Sequence, residues 1–415
     1  MRIYVKTFGC RVNQVESQSL CEQFEAAGHE ICSEFDTADV CVLNTCTVTA
    51  EGDKDVERTL RLISRRNPAA RIFAAGCYAQ AHPEKVLKNA PGAEIFGTER
   101  KKDIAKILGG AGMSGFGWRT TGHRGHSRAF VKVQDGCAGG CAYCIVPLAR
   151  PTLSSKPMAE AVDEVCTLVR NGFAEVVLSG INIGNYKCPD TGAELPQLLA
   201  ALFAIKGDFR IRLSSIEQGN ITPGLIDICL RAGDMFCPHF HIPLQHGADK
   251  VLAEMGRRYK RSSYAEKAAL VRSAWPLAGI YADVIAGYPT ETEADFADCA
   301  SFIERNALSG LHVFRFSPRP KTRAEALKPL PPEVVRHRAE ALRSLDARLR
   351  SSFADALCGT SQRVLVEEHC AEEGVAQGVC GNFQKVLIKT NSKLSGLVSV
   401  RITKSDKQLC HAEPA

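Results

Sequence analysis

At 415 residues and 45% hydrophobic content the chain is long enough for two or three domains and has ample material for packed cores. Its 18 cysteines are spread along the whole length, which excludes the disulfide scaffold of a short secreted protein, and the opening Met1-Arg2-Ile3-Tyr4-Val5-Lys6 gives no apolar signal segment. No stretch of membrane-spanning length occurs, the formal net charge of +6 is compatible with an RNA partner without pointing to one, and thiols in this number predict a reducing, cytoplasmic setting.

In chain order, the first hundred residues alternate short apolar runs with helical patterns. Ile3-Tyr4-Val5, Val40-Cys41-Val42-Leu43 and Ile72-Phe73-Ala74 read as strands, with helices near 13–27 and 50–66 between them. That alternation predicts an open parallel α/β sheet over residues 1–108. Residues 109–126, with seven glycines among Ser, Thr and His, predict a flexible linker. Six strand-then-helix units follow, with strands near 129–133, 175–179, 209–213, 239–243, 280–285 and 311–316, as in a partial (β/α)6 barrel. That second module spans 127–353, ending in a charged helix after the proline-rich Lys328-Pro329-Leu330-Pro331-Pro332. From 354 to 415 the pattern changes to short strands with Gly turns, such as Arg363-Val364-Leu365-Val366 and Leu397-Val398-Ser399-Val400, and predicts a small antiparallel β-barrel. The fold class is therefore α/β with an appended all-β tail.

Two sets of cysteines carry the chemistry. Cys137, Cys141 and Cys144, in Cys137-Ala138-Gly139-Gly140-Cys141-Ala142-Tyr143-Cys144, can supply three thiolates to a four-iron cluster, leaving one iron open to a small molecule. A zinc site usually takes four ligands, and the next cysteine, Cys166, falls within a helical pattern. Cys10, Cys46 and Cys77 each follow one predicted strand of the first module, so all three can meet where parallel strands end. Gly9 and Gly76 would allow close backbone approach to a bulky cluster there. Three ligands again leave one iron open. Cys21, Cys41, Cys166 and Cys299 read instead as small buried hydrophobes.

Two three-cysteine sets in this order, followed by a barrel and a β-tail, resemble the methylthiotransferases of the radical S-adenosylmethionine superfamily. The resemblance includes Ser179-Gly180-Ile181-Asn182-Ile183-Gly184, Leu213-Ser214-Ser215-Ile216-Glu217, His241-Ile242-Pro243-Leu244-Gln245, Gly256-Arg257-Arg258-Tyr259, Asp283-Val284-Ile285-Ala286-Gly287-Tyr288-Pro289 and Phe316-Ser317-Pro318-Arg319-Pro320. The tail resembles a TRAM domain, which in that family is a separate module engaging the substrate. Lys6-Thr7-Phe8-Gly9-Cys10-Arg11-Val12-Asn13 and Asn44-Thr45-Cys46-Thr47-Val48-Thr49 resemble the branch acting on N6-threonylcarbamoyladenosine beside the tRNA anticodon. Sister branches act on isopentenyladenosine of tRNA and on an aspartate of a ribosomal protein. The chain departs from the family where Arg150 is followed by Pro151-Thr152-Leu153-Ser154-Ser155 in place of Arg-Gly-Arg-x-Arg-Ser, and where His246 and Thr290 replace the usual Ser and Gly.

The resemblance implies two [4Fe-4S] clusters and S-adenosylmethionine as cofactors. The cluster at Cys137, Cys141 and Cys144 would generate a 5′-deoxyadenosyl radical, and that at Cys10, Cys46 and Cys77 would present sulfur to the substrate. Its partners would be tRNA, an electron donor of flavodoxin or ferredoxin type and a sulfur source, with no membrane. Gly180, Ser214, Glu217 and Gln245, near predicted barrel strand ends, are candidate S-adenosylmethionine contacts. An unactivated adenine C2–H has neither acidic proton nor leaving group, so no acid–base residue is assigned, and His239 and His241 read as barrel-lining residues. Arg257, Arg258, Lys260 and Arg261, with Tyr259 among them, are candidates for steering RNA phosphates and stacking a base. The competing readings are a protein-modifying methylthiotransferase and a noncatalytic, metal-stabilised RNA-binding protein.

Overall fold

The computed structural model describes residues 1–113, 115–123, 125–370 and 374–415, so positions 114 and 124 of the glycine-rich segment lie outside the described residues. Five parallel strands open the chain: β1 (Arg2–Thr7), β2 (Glu30–Cys32), β3 (Val40–Thr45), β4 (Arg71–Gly76) and β5 (Glu94–Gly97), in the order β2-β1-β3-β4-β5. Central strand β3 is buried along its whole length because helices cover both faces. Val40 and Val42 pack with Leu20 and Phe24 of helix Arg11–Ala26, while Cys41 and Leu43 pack with Val56, Leu60 and Ile63 of helix Ala50–Arg66. Each such apolar side chain contributes on the order of 1.5–3 kcal/mol when fully buried. Thr49 caps the second helix by accepting from the Gly52 N–H at 3.2 Å. Phe116 and Trp118, within the glycine-rich segment, belong to the same core as Ile3, Phe24 and Phe73, so this stretch is anchored at two aromatic side chains.

The second module contains β6 (Ala129–Lys132), a short antiparallel pair β7 (Gln134–Asp135) and β8 (Ser154–Ser155), then β9 (Glu175–Ser179), β10 (Arg210–Leu213), β11 (His239–His241), β12 (Gly279–Ala286) and β13 (Gly310–Arg315). Two parallel sheets, β6-β9-β10 and β11-β12-β13, are joined by parallel bridges Ile211 to Phe236 and Ser215 to His241. The result is the expected six-stranded partial barrel, its helices packed outside over one continuous apolar core.

Helix Pro332–Ala356 leads into β14 (Ser361–Cys370), β15 (Val375–Cys380), β16 (Lys385–Lys389), β17 (Leu397–Asp406) and β18 (Leu409–Pro414), a closed barrel in the order β14-β15-β16-β18-β17. Its pairs are antiparallel except β16 with β18, which is parallel. This barrel is not an independent appendage. It closes the amino ends of the strands in the second module: Arg210 donates to the Arg363 and Val379 carbonyls at 2.7 and 2.8 Å, and Arg212 to those of Gly381 and Cys380 at 2.7 and 3.1 Å. Phe383 stacks on His239 with ring centroids 4.7 Å apart and lies under the Arg212 guanidinium. Buried Glu175 pairs with both arginines, accepting from Arg210 Nε and Arg212 Nε at 2.7 Å each. Among the described residues no helix is long and apolar enough to cross a membrane.

Candidate active site

The carboxyl ends of the barrel strands, remote from the closing β-barrel, surround a cavity of about 310 Å³. Cys137, Cys141 and Cys144 line it from the loop after β7, joined by Glu217 beyond β10, Gln245 beyond β11, and Asp283 and Ile285 of β12. Val48 and Thr49, just past Cys46, close it from the first module. The cysteine loop is pinned by backbone bonds from Ala142 N–H to the Met255 carbonyl and from Ala324 N–H to the Ala142 carbonyl, both 2.8 Å. Gly139 N–H donates to Cys137 Sγ at 3.2 Å, and Arg257 Nη1 to Cys141 Sγ at 3.3 Å. Burial pushes the Cys144 thiol up to about 12, so the free thiol stays protonated at neutral pH and would be held as thiolate by a bound metal.

Cys10, Cys46 and Cys77 stand at the ends of β1, β3 and β4, which are adjacent in the sheet. Their thiols are near enough to influence one another electrostatically. Gly9 (φ +86°) and Gly76 (φ +92°) occupy left-handed backbone, and a Cβ on Gly9 would run into Cys46 Sγ, so the chain passes as close to the sulfurs as the sequence predicts. Burial pushes the Cys46 thiol up to about 12. Among the described residues the one group of three potential ligand atoms within 4.8 Å of each other is that of His241, Asp283 and His312. Neither cysteine trio is thus gathered as tightly as a single zinc ion, with thiolates about 2.3 Å from the metal, requires. Wider thiol sets with N–H or guanidinium donors aimed at sulfur fit multi-iron clusters.

Between the modules lies a buried ion network that the sequence did not disclose. Glu16 accepts from Lys101 at 2.5 Å, Lys132 at 2.6 Å and Arg150 at 2.9 Å. Arg150 also reaches Asp135 at 2.7 Å, Asn13 at 2.8 Å and, through Nε, Cys77 Sγ at 3.3 Å. The retained arginine of the otherwise missing Arg-Gly-Arg-x-Arg-Ser string therefore ties the first module's cysteine set to the barrel. Only the proximity of Arg150 to the cysteine motif hinted at this; Glu16 and Lys101 lie too far off in sequence.

Of the other candidates, Glu217 and Gln245 line the cavity, whereas Gly180 and Ser214 do not and their neighbours Ile181, Asn182 and Ser215 do. Ser214 Oγ is buried without a hydrogen-bond partner. Gln245 has φ +67°, a strained conformation for a non-glycine residue, held by its N–H to the Asp283 carbonyl at 2.7 Å and by Ile285 N–H to its own carbonyl at 2.9 Å. His239 points toward the closing barrel, but His241 faces the cavity side: Ser215 Oγ is 2.6 Å from its Nδ1, and Asp283 is 2.8 Å from its Nε2. Burial raises the Asp283 carboxyl, but hydrogen bonds from His241 and His312 hold it lower overall, at about 2. Of the residues expected to face RNA, Arg257 is ion-paired with Glu217 and lines the cysteine-loop cavity, and Tyr259 donates its hydroxyl to the Leu244 carbonyl at 2.8 Å.

A barrel whose open end carries this three-cysteine loop defines a radical S-adenosylmethionine enzyme, and residues 131–303 match the Radical SAM superfamily. Residues 2–97 match the Uncharacterized protein family UPF0004. The chain is 33% identical to the Threonylcarbamoyladenosine tRNA methylthiotransferase MtaB of Thermotoga maritima, over 91% of this chain and 88% of that one. It is 35% identical to the MtaB of Aquifex aeolicus, over 89% and 93%. The tRNA-2-methylthio-N(6)-dimethylallyladenosine synthase of Geobacter metallireducens is 32% identical, over 97% and 96%. Among solved structures, the radical S-adenosylmethionine methyltransferase TsrM of Kitasatospora setae superposes with a TM-score of 0.57 at 13% identity, over 78% of this chain and 76% of that one, which shows a shared fold. The chain belongs to the radical S-adenosylmethionine methylthiotransferase family. It is an enzyme of sulfur and methyl transfer, and its cofactors are S-adenosylmethionine and [4Fe-4S] clusters, two in this family.

Proposed function

We propose that the chain converts N6-threonylcarbamoyladenosine of tRNA to its 2-methylthio derivative, with Cys137, Cys141 and Cys144 holding one cluster and Cys10, Cys46 and Cys77 the other. The observation that carries the reading is that Val48 and Thr49, two and three residues past Cys46, line the same cavity as the Cys137 loop. The likeness to the two MtaB proteins supports the threonylcarbamoyl branch over its sisters. Bound at these cysteines, the clusters would supply the electron that cleaves S-adenosylmethionine to a radical and the sulfur that is transferred.

The chain's own residues position the reactants. Glu217 is fixed by Arg257, and Gln245 by its strained backbone; both face the space beside the Cys137 loop, where S-adenosylmethionine would bind. Arg150 ties the two modules together, reaching Cys77 Sγ in the first and Asp135 in the second. The reaction also needs an electron donor of flavodoxin or ferredoxin type and a source of replacement sulfur.

Single alanine variants test the division of labour. Changing Cys137, Cys141 or Cys144 should abolish 5′-deoxyadenosine formation, whereas changing Cys10, Cys46 or Cys77 should leave reductive cleavage, remove about half the iron and end methylthiolation. Methylthio product from a Cys46→Ala enzyme would refute the second assignment.

A further inference from the structure

The reaction cavity opens into a cleft that the proposed chemistry does not use. A second cavity, of about 580 Å³, shares Thr49, Phe314, Arg315, Phe316 and Ser317 with the first and extends between the start of helix Ala50–Arg66 and helix Pro332–Ala356. Three cations line it, Lys54, Arg315 and Arg343, against one carboxylate, Glu51. All three are exposed, and among the described residues none makes an ion pair or side-chain hydrogen bond. Nearby arginines that serve the fold are all paired: Arg257 with Glu217, Arg319 with Asp53, Arg338 with Glu291. The unpaired three come from two helices and a strand, so no single solvated helix face accounts for their convergence on one cleft.

Phe314, like Arg315, lines both cavities, and the residue is 41% exposed. An aromatic ring left in water beside unneutralised cations matches the two demands of single-stranded nucleic acid: a surface for base stacking and positive charge for the backbone. An acidic peptide would use the cations but not the ring, nor would it need to adjoin the space where a nucleobase is modified.

We propose that this cleft holds the unpaired RNA flanking the modified adenosine, with a neighbouring base stacked on Phe314 and its phosphates against Lys54, Arg315 and Arg343. The assignment rests on tRNA being the substrate. Each phosphate neutralised by a cation steepens the salt dependence of single-strand binding by about 0.7 in log–log slope. A Lys54→Gln/Arg343→Gln double variant should therefore bind an anticodon stem-loop with a slope shallower by about 1.4. Phe314→Ala should weaken binding by roughly 5- to 150-fold, the loss of one base-stacking contact, and Phe314→Tyr should restore it.

The measurement uses the full chain with both clusters reconstituted, its iron content and visible absorption compared with wild type to establish the fold. Wild-type slope and affinity in the double variant, or undiminished binding by Phe314→Ala, would overturn the cleft assignment while the substrate reading stands. Loss of binding to an acidic protein with RNA binding unchanged would overturn it in favour of a protein partner. If the wild-type chain neither bound nor modified tRNA, the substrate reading itself would fall, and this assignment with it.

Discussion

Replacing Arg150 by glutamine should weaken the junction between the modules and alter the cysteine set of the first one. The Arg150 side chain is only 2% exposed and donates to Glu16, Asp135, Asn13 and Cys77 at 2.7–3.3 Å. Removing one partner of a buried ion pair typically costs about 3–5 kcal/mol. Here Glu16 would retain Lys101 and Lys132, and Asp135 would retain Lys132, so the lower end applies, about 3 kcal/mol. At about 2–4 °C per kcal/mol for a module of this size, melting should fall by roughly 10 °C. If Cys77 holds a cluster as proposed, the lost donor at its Sγ should also lower that cluster's reduction potential, because hydrogen bonds to cluster sulfur favour the reduced state. Anaerobic melting and a redox titration followed by electron paramagnetic resonance would measure both effects. Arg150→Lys should be intermediate, keeping the charge but unable to span both carboxylates and the sulfur. Wild-type melting and potential in Arg150→Gln would refute the reasoning.

Glu175 gives a pH-dependent counterpart: burial alone raises its carboxyl, but Arg212 and Arg210 hold it at about 2. The folded value is depressed, so this stabilisation, about 3 kcal/mol, is complete above pH ~4.5 and lost as pH falls toward 2. Urea unfolding followed at Trp275 should show wild type losing stability below pH 4.5 more steeply than Glu175→Gln; parallel curves would contradict it. Removing residues 359–415 should destabilise the second module itself, since Arg210 and Arg212 lose the carbonyls of Arg363, Val379, Cys380 and Gly381. A truncated chain that melted and cleaved S-adenosylmethionine like the full one would show that the β-barrel is a passive attachment.

Local signals made much of this architecture readable. The strand runs at Ile3, Val40 and Ile72 and the six barrel strands fall where apolar periodicity puts them, and cysteines directly after adjacent parallel strands must converge. The short edge strands β2 and β5 escaped notice because three or four residues carry too little pattern. A glycine count favoured a free linker over 109–126, but Phe116 and Trp118 supply enough apolar surface to anchor it. Docking of the tail was illegible for a different reason. Glu175, Arg210 and Arg212 look like surface charges at strand starts until the carbonyls of a segment more than 150 residues away are placed against them. At the cavity, Glu217 and Gln245 were readable as strand-end residues, whereas the inward turn of Arg257 depends on an acid from another strand end.

The central claim, that this chain places a methylthio group on threonylcarbamoyladenosine, is tested most directly by mass analysis of tRNA nucleosides from cells lacking it. 2-Methylthio-N6-threonylcarbamoyladenosine should vanish while its unmethylthiolated precursor accumulates, and both should return to wild-type levels when the chain is restored. Loss of the methylthio-isopentenyl nucleoside instead, or unchanged tRNA accompanied by loss of a methylthio group from a ribosomal protein, would contradict the account.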